Sequence, residues 1–242
     1  MKDVVGSTSN EKKMIVAIQR ALGILANGYI GTQTMSSIAE AVKADCFPVT
    51  LQLYSQPVII SKDITACNPN ASLSGFKNSL SGSFSYQSKP CSILVSGSRV
   101  ICSAACHAWL GQPESVLYRL TDGTCGIKRV KSASELPANV KWAVGGVGLL
   151  GNYNPTAEGF TGNYADVLRR TNHTVLGVKD GYCYLVYIKN KTGAEVNSFC
   201  KDKLMLDHAV MLDGGHVAAI NGTEDFAKIN LSQKQFYMIQ GV

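Results

Sequence analysis

Between residues 11 and 23 the apolar positions Met14, Ile15, Ile18 and Leu22 recur at helical spacing. A turn carrying Asn27, Gly28 and Gly31 follows, and Ile38, Ala41 and Val42 predict a second helix over about residues 34–43. Glycine accepts positive φ, which lets a tight helix-turn-helix close there. After Pro48 the period drops to two. Strands are predicted at residues 50–54, 58–60, 92–95 and 99–102, the last two joined by Ser96-Gly97-Ser98. Residues 116–120 and 127–130 alternate around Asp122-Gly123, and residues 175–178 and 182–188 flank Asp180-Gly181; both read as hairpins. Helical spacing returns in residues 192–203 through Ala194, Val196, Phe199 and Cys200, and a buried strand at residues 208–212 runs into Asp213-Gly214-Gly215. A tail strand is expected around residues 236–239. This order predicts an α+β fold: a hairpin-rich mixed sheet with few helices, preceded by a small helix-turn-helix element. The expected domains are residues 1–44 and 48–242.

The chain has 242 residues, 45% hydrophobic and 17% charged, enough to bury a sizeable core and too apolar for wholesale disorder. No apolar run approaches the roughly 18 residues needed to span a bilayer, so membrane partners are not expected. Lys+Arg number 23 against 17 Asp+Glu, a net +6 that mildly favours anionic ligands. The basic pairs Lys12-Lys13 and Arg169-Arg170 are too short for a nucleic-acid patch. The start Met1-Lys2-Asp3-Val4-Val5-Gly6 does not read as a signal peptide, because Gln19 and Arg20 interrupt the apolar stretch behind it. A cytoplasmic setting, including a phage-infected host cell, is therefore expected. The eight cysteines then read as small reduced hydrophobes. Cys102, Cys106 and His107 could hold zinc, but no second ligand pair lies at usable spacing, so no metal is expected. No Walker A, H-E-x-x-H or G-x-S-x-G motif occurs, and no cofactor is expected.

Two family resemblances sharpen this. Gln19 to Gly23 with Asn27-Gly28-Tyr29-Ile30-Gly31 and Thr34 resembles part of the repeat of peptidoglycan-binding modules, with Asn27 where that family has Asp. Over residues 48–225, three segments are similar to the phosphodiester glycosidase family, that of the uncovering enzyme: the hairpin Thr174 to Ile188, the helical stretch behind it, and Ala209 to Gly222. Ala143 to Leu150 resembles that family's glycine-rich strand, and Gly82-Ser83-Phe84 its N-G-x-F segment, with Ser81 in place of Asn. The chain departs from the family in having His173-Thr174 for Arg-Thr and Asp213-Gly214-Gly215-His216-Val217-Ala218 for D-G-G-G-S-T.

Independently of the resemblance, a carboxylate at a strand tip followed by two glycines is placed for close approach by a ligand. Asp213 could serve as nucleophile, base or stabiliser of an oxocarbenium-like centre, or it could simply cap its own turn. Imidazoles can donate protons or hold phosphate oxygens. The candidate catalytic residues are Asp213, His216, His173 and Glu158, the last from the loop at residues 151–160. The candidate substrate-binding residues are Gly214, Gly215, Asn172, Thr174, His107, Gly146, Ser83 and Arg170; His208 reads as structural.

The resemblance implies a hydrolase that cleaves a glycosidic C1–O bond next to phosphate. Its expected ligand is a small anionic sugar phosphate or nucleotide, or a cell-wall glycan. The two family signals together point to a phage or Gram-positive bacterial source. Two alternatives stand beside this reading. One is a phage counter-defence protein that cleaves or sequesters a cyclic nucleotide immune signal such as a cyclic ADP-ribose isomer. The other is a non-catalytic cell-wall-binding protein. An oligomer is compatible with the sequence.

Overall fold

The computed structural model describes residues 47–242 except Asn68, together with the backbone of Val4–Val5 and Tyr29–Ile30. The chain divides into units Met1–Phe47 and Pro48–Val242. In the first, Val4–Val5 pairs antiparallel with Tyr29–Ile30. The two expected helices and the peptidoglycan-module segment otherwise lie outside the described residues.

The second unit is built on strands β1 (Val49–Leu53), β2 (Gln56–Ser61), β3 (Ile64–Cys67), β4 (Ser79–Ser81), β5 (Leu94–Ser96), β6 (Arg99–Cys102), β7 (Glu114–Leu120), β8 (Cys125–Val130), β9 (Val140–Gly148), β10 (Thr171–Lys179), β11 (Tyr182–Lys191), β12 (His208–Gly214), β13 (Ile220–Asn221), β14 (Lys228–Ile229) and β15 (Met238–Gly241). The large sheet runs β6-β5-β9-β12-β10-β11-β2-β1, with β7 and β8 added on the second edge of β9; a smaller sheet runs β14-β13-β4-β15-β3.

The α+β expectation is corrected by this architecture: the described residues are mainly strand, and every pairing within both sheets is antiparallel rather than mixed. The cause is in the connections. Turns such as Asp180-Gly181, at φ 51° and 79°, return the chain at once and enforce antiparallel neighbours. β11 and β12 share a direction, on either side of β10, and the crossover between them uses the α-helix α1 (Gly193–Ser198). Thr192 caps it reciprocally: its hydroxyl accepts the Glu195 N–H at 3.3 Å, and the Glu195 carboxylate accepts the Thr192 N–H at 2.8 Å. Such caps contribute about 1 kcal/mol. The helix then widens to π geometry over Phe199–Leu204 and ends at Met205, φ 51°. The loop expected at residues 151–160 is a run of 3-10 turns. Among the described residues no helix is long and apolar enough to cross a membrane.

Strand alternation sorts the core into two layers. Leu176, Leu185, Val210 and Leu212 face Leu80, Ile220 and Ile239 of the smaller sheet. Val175, Val186, Ala209 and Met211 face the opposite way, against Val196, Cys200 and Leu204 of the helical crossover. The central strands β10, β11 and β12 are therefore buried on both faces, and their polar groups reach solvent at strand ends.

Candidate active site

One such end is the C-terminus of β12. His173 pairs with Gly214 and Val175 with Met211, so two steps on β10 oppose three on β12. This β-bulge falls at Leu212-Asp213 and redirects the chain just where the carboxylate stands. Three contacts hold the bulge: the Asp213 N–H donates to the Gly82 carbonyl at 3.3 Å, and Thr174 Oγ1 donates to the Asp213 carbonyl at 2.9 Å and to that of Ser81 at 3.3 Å. Thr174 and the Gly82-Ser83 segment thus position the Asp213 backbone.

The Asp213 side chain is half-buried. Among the described residues its carboxylate has one hydrogen bond, from the Gly214 N–H to Oδ1 at 2.8 Å, which leaves Oδ2 open. Burial pushes its pKa up to about 6, against the opposing pull of the Gly214 N–H and the His216 imidazole. The group therefore exchanges protons near neutrality, the condition for acid–base work.

The structure brings His216 to Asp213, on an exposed 3-10 turn at Gly215–Val217. Gly215 adopts φ 68°, a conformation costly for any side chain. A Cβ at Gly214 would stand 2.7 Å from the Asn172 carbonyl oxygen, so a bare backbone is required at that contact too. A Cβ on Gly215 would lie 3.6 Å from Arg169 Nη2. Arg169, also ion-paired with Asp166, is the guanidinium beside the glycine corner; sequence reasoning chose its neighbour Arg170 instead. Arg170 bonds the Asn190 carbonyl at 3.0 Å and Glu195 at 2.8 Å, toward α1. No sequence signal separates the two arginines, since only the geometry entering β10 decides which one faces Gly215.

The other candidates have different occupations. His173 is fully buried; its Nε2 lies 2.8 Å from the Lys191 carbonyl and 3.2 Å from that of Arg169, contacts that only an N–H can make. Burial lowers its pKa, so it is a neutral ring whose Nδ1, toward Gly214, lacks a partner among the described residues. Asn172 Oδ1 accepts the Asn190 N–H at 3.2 Å. Glu158 is buried and accepts from Ser115 Oγ at 2.9 Å, the Gly148 N–H at 3.1 Å and Arg129 Nη2 at 3.0 Å. It staples its loop to β7, β8 and β9. His107 is buried, its Nδ1 2.9 Å from the Glu158 carbonyl and its ring 4.7 Å from that of Phe160. Ser83 donates to Ser92 at 3.2 Å. Gly146 is a close-packing glycine: a Cβ there would stand 2.5 Å from the Met211 carbonyl oxygen.

Two features went unread in the sequence. Glu114 is fully buried, its pKa raised to about 8 by burial, and accepts from Ser92, the Ile93 N–H at 3.1 Å and the Cys106 N–H at 3.2 Å. Cys91 and Cys106 pack, half-buried, against the core cluster under the helical crossover. Two concavities elsewhere, lined by Asp63, Lys141 and Trp142 and by Lys191, Glu195 and Phe199, do not include Asp213.

No family model matches the sequence, and no curated protein sequence matches it either. Solved structures do match in fold. The catalytic domain of zebrafish N-acetylglucosamine-1-phosphodiester alpha-N-acetylglucosaminidase, auto-inhibited by its pro-peptide, is 14% identical, with 80% of this chain and 81% of that chain covered and a TM-score of 0.57. A hypothetical protein from Synechocystis is 11% identical over 76% of this chain and 59% of that chain, with a TM-score of 0.50. At these identities the likeness is one of fold: the chain folds like a phosphodiester glycosidase catalytic domain.

Proposed function

We propose that the chain is a hydrolase of the phosphodiester glycosidase kind, cutting a C1–O bond whose oxygen carries phosphate. The observation that carries this reading is the Asp213 carboxylate, with Oδ2 open, its pKa raised to about 6 and the His216 imidazole acting on it, followed by a two-glycine corner whose second glycine lies beside the Arg169 guanidinium. The fold likeness to a phosphodiester glycosidase supports it.

In the proposed step, the anionic Asp213 faces the anomeric carbon, stabilises the positive charge developing there and takes a proton from the attacking water. The C1–O bond breaks with its electron pair on the phosphate oxygen, which leaves as an ionised phosphate monoester. Phosphate, with a second pKa of about 6, needs little help from an acid. Arg169, His216 and the backbone N–H groups of the corner bind the phosphate oxygens. Asp213 releases its proton to solvent and is regenerated. Thr174 acts as a positioning residue through the Asp213 carbonyl.

A second reading, sequestration of the same ligand without cleavage, is favoured by the engagement of Glu158 and Glu114 in backbone and side-chain bonds, which leaves Asp213 without a second free carboxylate beside it among the described residues. One experiment separates the two. The chain is incubated with an N-acetylglucosamine phosphodiester and, separately, with a cyclic ADP-ribose isomer, and products are read by mass spectrometry before and after denaturation. Cleaved sugar, lost in Asp213→Asn, supports the hydrolase and identifies the substrate class; intact ligand released only on denaturation supports sequestration. Neither cleavage nor retention of either ligand overturns the proposal.

A further inference from the structure

A column of aromatic rings runs from the support of Asp213 to the surface. Its buried end is Phe84, in the same segment as the Gly82 carbonyl that accepts the Asp213 N–H. Phe84 packs on Phe160 with ring centroids 5.3 Å apart, Phe160 on His107 at 4.7 Å, His107 on Tyr164 at 4.9 Å and Tyr164 on Trp109 at 5.8 Å. The first three rings are buried, whereas Tyr164 is 44% exposed and Trp109 67%. These two meet at 75°, so a flat ring seated in their corner stacks on one and meets the edge of the other. The corner is held from beneath: His107 Nδ1 lies 2.9 Å from the Glu158 carbonyl, and Gly111, at φ 72°, closes the 3-10 turn Ala108–Leu110 that presents Trp109. Tyr164 also shares a stretch of chain with the proposed phosphate-binding residue. It lies in the 3-10 run Gly162–Leu168, which Arg169 directly follows. At the rise of such a helix the two residues are about 10 Å apart along the chain.

We propose that the Trp109–Tyr164 corner is a base-stacking subsite, so that the phosphate leaving group held by Arg169 carries a nucleoside. This rests on the hydrolytic reading and names its leaving group. Water adds its oxygen to C1, its proton passes through Asp213 to solvent, and the C1–O bond breaks with its electron pair on the departing nucleoside phosphate. The neighbours of Trp109 on its turn, Ala108 and Leu110, offer no side-chain hydrogen bond to a hydroxyl, which suits a flat π ring better than a sugar. Every nucleobase has such a face, so the subsite selects for the presence of a base more than for its identity.

The test compares adenosine 5′-monophosphate with ribose 5-phosphate, which lacks only the base, by titration calorimetry and tryptophan fluorescence on the full chain. The chain has two tryptophans and Trp142 is fully buried, so quenching by the nucleotide reports on Trp109. The nucleotide is expected to bind about 10-fold or more tighter than ribose 5-phosphate and to quench the fluorescence. Trp109→Ala and Tyr164→Ala are expected to bring the nucleotide down to the affinity of ribose 5-phosphate, and Trp109→Phe to keep most of the preference without the quenching. Equal binding of the two ligands overturns the inference, as does nucleotide binding without quenching or an equal loss of both ligands in Trp109→Ala. If an N-acetylglucosamine phosphodiester is still cleaved, the hydrolytic reading survives that failure; if neither ligand binds and that diester is not cleaved, both fall. Should an alanine variant fail to fold, judged by circular dichroism, the preference and the quenching in the unaltered chain decide alone.

Discussion

The Thr174 hydroxyl is bonded to the Asp213 carbonyl at 2.9 Å, so a side chain of one strand fixes the backbone of its neighbour where the ladder is irregular. The carboxylate is aimed by this tie and by the Gly214 N–H, with no side-chain hydrogen bond to Oδ2 from a described residue.

Asp213→Asn keeps the shape and removes the charge and the basicity. Turnover is expected to fall by roughly 10²–10⁴-fold, with the melting temperature little changed. Because the pKa of Asp213 is raised to about 6 and its anion is the working form, the unaltered chain should lose activity as pH falls below about 6, close to tenfold per unit. A pH–rate profile that stays flat down to pH 4.5 contradicts the assignment.

Arg169→Ala, which clears the guanidinium next to Gly215, should weaken binding of the anionic ligand by about 10-fold or more, the scale of one charge-assisted hydrogen bond. Arg170→Ala, which loses contacts to Asn190 and Glu195, should leave the Kd within about twofold. Titration calorimetry distinguishes them, and equal effects would refute the placement of Arg169.

Glu158→Gln turns one acceptor of a buried network into a donor facing Ser115, the Gly148 N–H or Arg129. A loss of about 1–3 kcal/mol in stability is expected, read by urea unfolding, with turnover per folded molecule unchanged. A turnover loss at unchanged stability would instead make Glu158 a catalytic group.

Glu114 has its pKa raised from 4.5 to about 8 by burial, so the folded chain holds a proton that the unfolded chain releases between those values. Its contribution to stability is complete below pH 4.5, declines as pH rises toward 8 and is level above. Glu114→Gln, which keeps an acceptor for the Ile93 and Cys106 N–H groups, should remove that decline. The melting-temperature difference between variant and parent should therefore shift in favour of the variant from pH 4 to pH 9.

Local signals in the sequence carried much of this structure. Asp-Gly turns between alternating runs identified two hairpins because turn chemistry and register lie within a dozen residues. Leu212-Asp213-Gly214-Gly215 stands out as a candidate site because a carboxylate before two glycines needs no distant partner to be noticed. What failed was non-local. The antiparallel order of the sheet depends on pairings such as β9 with β12, residues 147–148 against 210–211, which no local period encodes. Glu114 opens an alternating strand and resembles a surface residue, yet Ser92, Ile93 and Cys106 surround it. His107, His173 and His216 are all candidate site residues by sequence, but the structure commits His107 to a loop carbonyl and His173 Nε2 to strand carbonyls, leaving His216 exposed beside Asp213.

The two-against-three mismatch between β10 and β12 has a further implication for how this corner can change. An extra residue is a counted quantity and cannot be partly removed. Deleting Leu212 would erase the miscount and carry the acidic group toward the opposite side of the sheet, whereas exchanging Leu212 for another apolar residue leaves its direction intact. Chain length here should thus be far less forgiving than side-chain identity, and libraries that vary this strand while preserving its residue count should retain many more working members than libraries that shorten it by one.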